Sequence, residues 1–293
     1  MNSEKILNRQ RNHFFKKWEA VHWVTLIALA FWTFLIVSIL FIVVALSLKS
    51  SVEIFQDPWS LPTSFETAVA NYVKAWSTSQ MGVYLFNSIL IVSISLTATL
   101  LVSAMAAYIL ARFSFRGKKL IHTSLILGMG IPLQLMLIPL FKLMSSIKLT
   151  DSYVGLVLVY TTVCIPFTVF VLTGFFDSIP SDIVEAALID GCTQNKIFWS
   201  VMLPLAKPGL IAVTSFNFVW IWNEYLIALV FTSSKSLRTI SLGMYALQGS
   251  MTYTVDWGAL FAGVVIMVVP AAVIFAIMNK YIVSGVTVGA VKG

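Results

Sequence analysis

Of the twelve acidic residues in the chain, one, Glu224, falls inside a long apolar stretch; the others lie in polar segments or at the ends of such stretches. A charge placed in hydrocarbon costs about 2.5–3.5 kcal/mol on insertion scales, so this side chain must face a bundle interior or a cavity. Asn217, Trp220 and Glu224 recur at i, i+3 and i+7, one face of a helix, with Asn223 and Tyr225 beside it. Amides and a carboxylate can hydrogen-bond sugar hydroxyls, and an indole ring offers an apolar face to a sugar ring. These residues are the candidate lining of a pathway for a polar solute, and Gln134, beside Pro132, is a further candidate. The same side chains would serve equally well as hydrogen bonds to the helices of a partner chain.

Other chemistries find little footing. A nucleotide hydrolase needs a glycine-rich loop with a lysine to cradle phosphate, and no G-x-x-x-x-G-K-[ST] occurs. The three histidines, His13, His22 and His122, are scattered without metal-ligand spacing. No Ser/His/Asp set lies at a plausible common depth. The chain is therefore expected to have no catalytic residues and to bind no metal or cofactor of its own. Cys164 lies in an apolar stretch and Cys192 in a polar one, so a structural disulfide is not expected.

The elements that must position these residues follow from composition. The 293 residues are 59% hydrophobic and 11% charged, against roughly 25% charged in soluble domains. Such a chain cannot cover itself with a water-facing surface, so a bilayer must be its solvent. Six stretches reach the roughly 20 apolar residues that a helical span needs: 23–48, 83–110, 120–143, 154–176, 209–231 and 258–282. None alternates as a barrel strand does, so the spans are helices. The first is too long in its apolar core for a cleaved signal peptide and reads as a permanent anchor. The net charge of +7 does not point to nucleic acid, because its distribution follows membrane sidedness. With the N-terminus inside, 13 of the 19 Lys and Arg fall on the cytoplasmic side and 6 outside, which places both termini in the cytoplasm.

The domain organisation that follows is a cytoplasmic segment 1–22, a first span 23–48, an external loop 49–82, a five-helix core 83–282 and a cytoplasmic tail 283–293. In the external loop, Thr63 and Glu66 have capping-box spacing. Phe65, Val69, Tyr72, Val73 and Trp76 then recur at helical spacing, which predicts an amphipathic helix on the membrane interface or under a partner. Pro132, Pro139 and Pro166 predict kinks in the third and fourth spans. Between the fourth and fifth spans, 177–207 is polar and helix-prone. Ser178 or Ser181 can cap a first helix, Asp182 and Glu185 suit its positive end, and Asp190-Gly191 supplies a turn. The segment from Thr193 can start a second helix that ends before Pro204. Ile183, Ala186, Ala187, Ile197, Phe198 and Val201 would give the hairpin an apolar face.

This hairpin resembles the EAA loop of ABC importer permeases: Glu185-Ala186-Ala187 is followed by Gly191, with Leu203-Pro204 at the family's spacing from it. The stretches 86–119, 175–180, 222–232, 256–260 and 281–293 are similar to the carbohydrate-uptake, maltose-type branch, and most of all to its second permease subunit, the MalG type. The resemblance implies an all-α membrane protein of six transmembrane helices with a cytoplasmic coupling hairpin, the type I ABC importer permease fold. It implies that Glu185, Ala186, Ala187, Asp190, Gly191 and Pro204 sit in a joint with an ATP-hydrolysing subunit. It also implies that the tail, with Gly285, Gly289, Lys292 and Gly293, reaches between two such subunits. The implied partners are a second, MalF-like permease, two ATPase subunits that use ATP and Mg, an extracytoplasmic sugar-binding protein, the sugar and membrane lipid. The implied site of action is the bacterial cytoplasmic (inner) membrane. The alternatives are an ABC permease for another polar solute, such as a phosphorylated polyol or a peptide, and an ion-coupled secondary sugar transporter. The latter usually carries several intramembrane acids, where this chain has one, and leaves the hairpin unexplained.

Overall fold

Lipid leaves a backbone no partner but itself, and among the described residues all regular structure is helical. The computed structural model describes the backbone of residues 2–250 and 256–290 and the side chains of 22–249 and 256–278. In chain order the helices are α1 (Asn2–Ser47), α2 (Ser51–Gln56), α3 (Phe65–Val73), α4 (Met81–Arg112), α5 (Lys118–Met129), α6 (Leu133–Ser146), α7 (Tyr153–Ser178), α8 (Ser181–Ile189), α9 (Gln194–Ile197), α10 (Leu203–Leu205), α11 (Lys207–Asn223), α12 (Leu226–Phe231), α13 (Ile240–Ser250) and α14 (Trp257–Ala290).

Four of these are long and apolar enough to cross a bilayer unaided: α1 over His22–Ser47, α4, α7, and α14 over Trp257–Met278. Two bent helix pairs, α5 with α6 at 109° and Gln194–Leu205 with α11 at 71°, reach the required length and apolarity only when each pair is taken together. The third expected span is thus broken rather than kinked. Pro132 is the cause: it has no N–H to donate into the preceding turn and turns the residue before it away from helix. The fifth expected span, 209–231, is also interrupted, since α11 ends at Asn223 and Glu224 is extended (φ −70°, ψ 128°). The segment expected as a tail from 283 is helical through Ala290, so Gly285 and Gly289 lie in α14. Lys292 and Gly293 lie outside the described residues.

By contacts the chain divides into two units. One is Met1–Tyr72 with Asp256–Val265, the other Val73–Val255 with Ile266–Gly293. In the first, side chains close the end of α1. Asn71 donates from Nδ2 to the carbonyls of Ser47 (3.0 Å) and Lys49 (2.8 Å). Lys49 is fully buried, and its ammonium donates to the Asp57 and Pro58 carbonyls and to Ser60 Oγ at 3.0–3.1 Å. A buried cation is tolerable there because its donors are all used and it sits at the negative end of the α1 dipole. The capping box expected at Thr63 and Glu66 does not form. Ser64 Oγ accepts the Thr67 amide at 3.3 Å, while the Thr63 hydroxyl donates to Glu53. The box forms instead at Ser50 and Glu53. The Thr63 hydroxyl, with the Ser50 amide second, holds the Glu53 carboxyl down at about 2. The amphipathic helix expected in this loop is α3, with Phe65 and Val69 exposed.

The same unit explains the Asp-Trp-Gly run at 256–258. Asp256 accepts the Ala259 amide at 3.1 Å and opens α14. A Cβ on Gly258 would stand 2.4 Å from the Lys49 carbonyl oxygen and 2.5 Å from Asn71 Nδ2. Gly258→Ala is therefore expected to push Asn71 off the two carbonyls it closes. Overfilling of this kind costs about 1–3 kcal/mol. The solubilised protein should unfold roughly 2–10 °C lower in a thermal scan; an unchanged midpoint would contradict the close fit.

In the second unit α4 and α7 form the central pair. Ser88, Ser95, Thr99, Ser103 and Ala107 follow one another at intervals of seven, four, four and four residues along α4 and are all buried. Small side chains let two helices approach where lipid supplies no hydrophobic drive. Asn87 ties three elements together: Nδ2 donates to the Ser236 and Arg238 carbonyls, and Oδ1 accepts from the Tyr153 hydroxyl. In the loop before α7, the Asp151 carboxylate accepts the Ser234 hydroxyl at 2.6 Å and the Ser234 and Ser233 amides at 2.9 Å, which together lower its pKa.

Candidate functional site

The polar segment between α7 and α11 is a hairpin with two unlike faces. Pro180 occupies the N-cap position of α8; the caps expected from Ser178 and Ser181 do not form, and Ser178 Oγ donates instead to the Phe175 carbonyl. At the other end Gly191 takes φ +74°, the Cys192 amide donates to the Ala187 carbonyl, and the Gly191 amide to that of Leu188. This is the Schellman stop, in which a glycine relieves the left-handed position and two end carbonyls are satisfied. Thr193 Oγ1 accepts the Lys196 amide and starts α9. The chain then passes through a π-helical turn at Phe198–Met202 into α10.

Ala187, Ile197, Phe198, Met202 and Ala206 are buried in one cluster with residues of α4, α7 and α11. Tyr108 of α4 is its hub, its ring centroid lying 5.2 Å from Phe198 and 5.7 Å from both Phe176 and Phe113. The Tyr108 hydroxyl reaches Gln194 Oε1 at 3.3 Å. One turn on, Arg112 Nη2 donates to the Phe176 carbonyl at 2.7 Å and to that of Ile179. The guanidinium thus sits on the last carbonyls of α7, where the helix dipole favours a cation. Of the apolar face expected for the hairpin, Ala187, Ile197 and Phe198 are buried and Val201 half-buried, but Ile183 and Ala186 are exposed. Exposed with them are Glu185, Asp190, Gly191, Pro204 and the large apolar side chains Leu188, Ile189, Trp199 and Leu205. Ile189 is 86% exposed. The hairpin is rigidly seated by one side and presents acids and large apolar groups on the other.

The second candidate group is partly assembled. Asn217 and Trp220 line a cavity of about 770 Å³ with Met129, Leu133, Pro166 and Phe167, at the elbow between α5 and α6. Buried Asn217 donates from Nδ2 to Thr168 Oγ1 at 2.8 Å, and Trp220 meets Tyr160 edge-on at 6.3 Å. Glu224 does not share their helix face, because it lies beyond the end of α11. Its carboxylate bridges the break, accepting the Tyr160 hydroxyl (3.0 Å) and the Ile227 amide of α12 (2.8 Å). The half-buried acid is thereby satisfied within the chain. Asn223 donates to the Val219 carbonyl and lines a different groove, between α11 and α14. Gln134 is exposed on α6 and does not line the 770 Å³ cavity. Sequence reasoning missed Tyr108, Arg112, Tyr160 and Thr168. The first two stand at i and i+4 at the end of a span, a visible signal; the latter two reveal themselves only by contact. Among the described residues no group of three His, Cys, Asp or Glu side chains is placed to hold a metal.

Residues 99–288, from mid-α4 to the end of α14, match the family described as the inner membrane component of binding-protein-dependent transport systems. The chain belongs to that family. This ABC transporter permease is 37% identical to the diacetylchitobiose uptake system permease NgcG of Streptomyces coelicolor, over 89% of its own length and 86% of NgcG. It is 33% identical to the trehalose/maltose transport system permease MalG of Thermococcus litoralis, over 83% and 88% of the two chains. In fold the permease is similar to a chain of a bacterial ABC transporter that imports the acidic polysaccharide alginate, with TM-score 0.75 at 20% identity over 88% of this chain and 95% of that one. It is a multi-pass membrane protein of the ABC importer permease fold, as the resemblance of its hairpin implied.

Proposed function

We propose that this permease is one of two pore-forming subunits of an ATP-driven importer for a sugar or oligosaccharide in a bacterial cytoplasmic membrane. It works with a second, MalF-like permease, two ATPase subunits and an extracytoplasmic binding protein. Both termini and the hairpin 177–207 face the cytoplasm. The observation that carries this reading is the two-faced hairpin, seated through Phe198 on Tyr108 and Phe176 and presenting Glu185, Leu188 and Ile189 outward. Such a surface suits docking into a cleft of an ATPase. The uptake systems of NgcG and MalG support carbohydrate as the substrate class.

In the proposed cycle ATP and Mg are used by the ATPase subunits, and this chain binds neither. Closure of the ATPase dimer moves the hairpin, with Glu185, Ala186, Ala187, Asp190, Gly191 and Pro204 at the joint. The rigid cluster under it carries the motion into α4, α7 and α11. The 770 Å³ cavity with Asn217 and Trp220 is this chain's share of the solute path. Glu224, Asn223 and Gln134 are remoter candidates. Residues 285–293 reach toward the ATPase pair. Binding of ATP and of the loaded binding protein biases a two-state equilibrium between inward- and outward-open forms. The test is uptake of labelled oligosaccharide by cells whose proton gradient is collapsed while ATP is held constant. Uptake is expected to persist. Abolished uptake would instead favour ion coupling, with Glu224 as the place to look.

A further inference from the structure

A pocket of about 500 Å³ opens where the last turns of α4 and α7 meet the first turn of α5. Lys118, Lys119 and His122 line it, together with Leu110, Thr173 and Asp177. Arg116 lies on the adjoining turn. Among the described residues the side chains of Arg116, Lys118, Lys119 and His122 have no acidic or hydrogen-bonding partner. Two lysines therefore line the pocket with one carboxylate, and the site carries uncompensated positive charge. Gly117, at φ +95°, starts α5 with no side-chain cap, so the positive end of a 12-residue helix adds to the same spot. The rest of α5 is of opposite character: Leu120, Ile121, Ile126 and Leu127 are exposed and apolar. A cationic pocket at the ends of two bilayer-crossing helices, continued by an apolar surface, has the chemistry of a phospholipid, charged at one end and greasy at the other.

We propose that this pocket binds the phosphate of an anionic phospholipid headgroup, with the acyl chains along the exposed side chains of α5. The apolar continuation selects a lipid over a free phosphate ion, which would use the cations alone. Asp177 limits the charge tolerated, so a headgroup with one phosphate suits the pocket better than a more highly charged one.

The test uses the full-length chain in nanodiscs of mixed phosphatidylcholine and phosphatidylglycerol, with retained lipid counted by native mass spectrometry. The wild type should hold phosphatidylglycerol in preference to phosphatidylcholine. Retention should fall roughly tenfold in Lys118→Gln/Lys119→Gln. It should survive in Lys118→Arg/Lys119→Arg, which keeps the charge, and in Lys142→Gln/Lys148→Gln, which changes cations elsewhere. Inorganic phosphate added to the wild type should leave the lipid in place. Equal retention by the wild type and the glutamine pocket variant would overturn the proposal. So would displacement by inorganic phosphate, which would make the pocket a site for the free ion. None of these readouts depends on transport, so the pocket and the importer reading can fail separately.

Discussion

Replacing Gly191 by aspartate is expected to lower solute uptake roughly 100-fold while the protein still inserts in the membrane, the loss expected when about 3 kcal/mol is removed from a docking hot spot. Gly191 holds φ +74° and is exposed at the tip of the hairpin. Aspartate tolerates that conformation at a cost of roughly 1 kcal/mol, too little to undo a hairpin seated on a buried cluster. The new side chain, however, projects a carboxylate from a surface that already carries Glu185 and Asp190, and desolvating it against a partner is costly. Gly191→Ala separates the two effects, since it carries the backbone cost without the charge and should lose far less uptake. Normal uptake by the aspartate variant, at normal membrane levels, would rule this position out of the joint.

The second large effect is expected at Arg112. Its guanidinium holds the carbonyls of Phe176 and Ile179, at the point where α7 gives way to α8. Hydrogen bonds from a charged donor contribute about 1.5–3 kcal/mol each, and Arg112→Ala would leave both carbonyls wanting. The joint between α7 and the hairpin would then flex, and motion at the hairpin would dissipate before reaching the spans. The expected result in the reconstituted transporter is ATP hydrolysis close to normal with transport lowered roughly tenfold, so that more ATP is used per solute carried. Lysine can replace the charge but ends in a shorter, more flexible and more strongly hydrated group, so Arg112→Lys should recover only part of the coupling. Hydrolysis and transport falling in proportion would mean that Arg112 serves folding alone.

The features legible in the sequence were those decided locally. Gly191 could be read as a turn because a left-handed stop after an alanine-rich helix calls for glycine, and the Schellman hydrogen bonds bear that out. Pro132 announced a disruption, though the 109° elbow exceeds a kink. The break at Glu224 had no such marker, since the run Trp222-Asn223-Glu224-Tyr225 contains neither Pro nor Gly. It is stabilised by the Tyr160 hydroxyl, 64 residues away in sequence, and by the Ile227 amide. Two Ser/Thr-x-x-Glu patterns, at Ser50 and Thr63, were locally equivalent, and contact decided between them, because Glu53 takes the Thr63 hydroxyl. The grouping of Asn217 with Trp220 followed from helical spacing and holds in the cavity; adding Glu224 assumed a helix that stops one residue short.

The exposed face of the hairpin is the proposed docking site for an ATPase. The most direct measurement is co-purification from detergent-solubilised membranes through an N-terminal tag, comparing wild type with Glu185→Lys by mass spectrometry. The wild type is expected to bring down a second permease and an ATPase, and the variant the second permease without the ATPase. An ATPase recovered equally with both, or a chain that comes down alone or as a homo-oligomer in both, would contradict docking at this face.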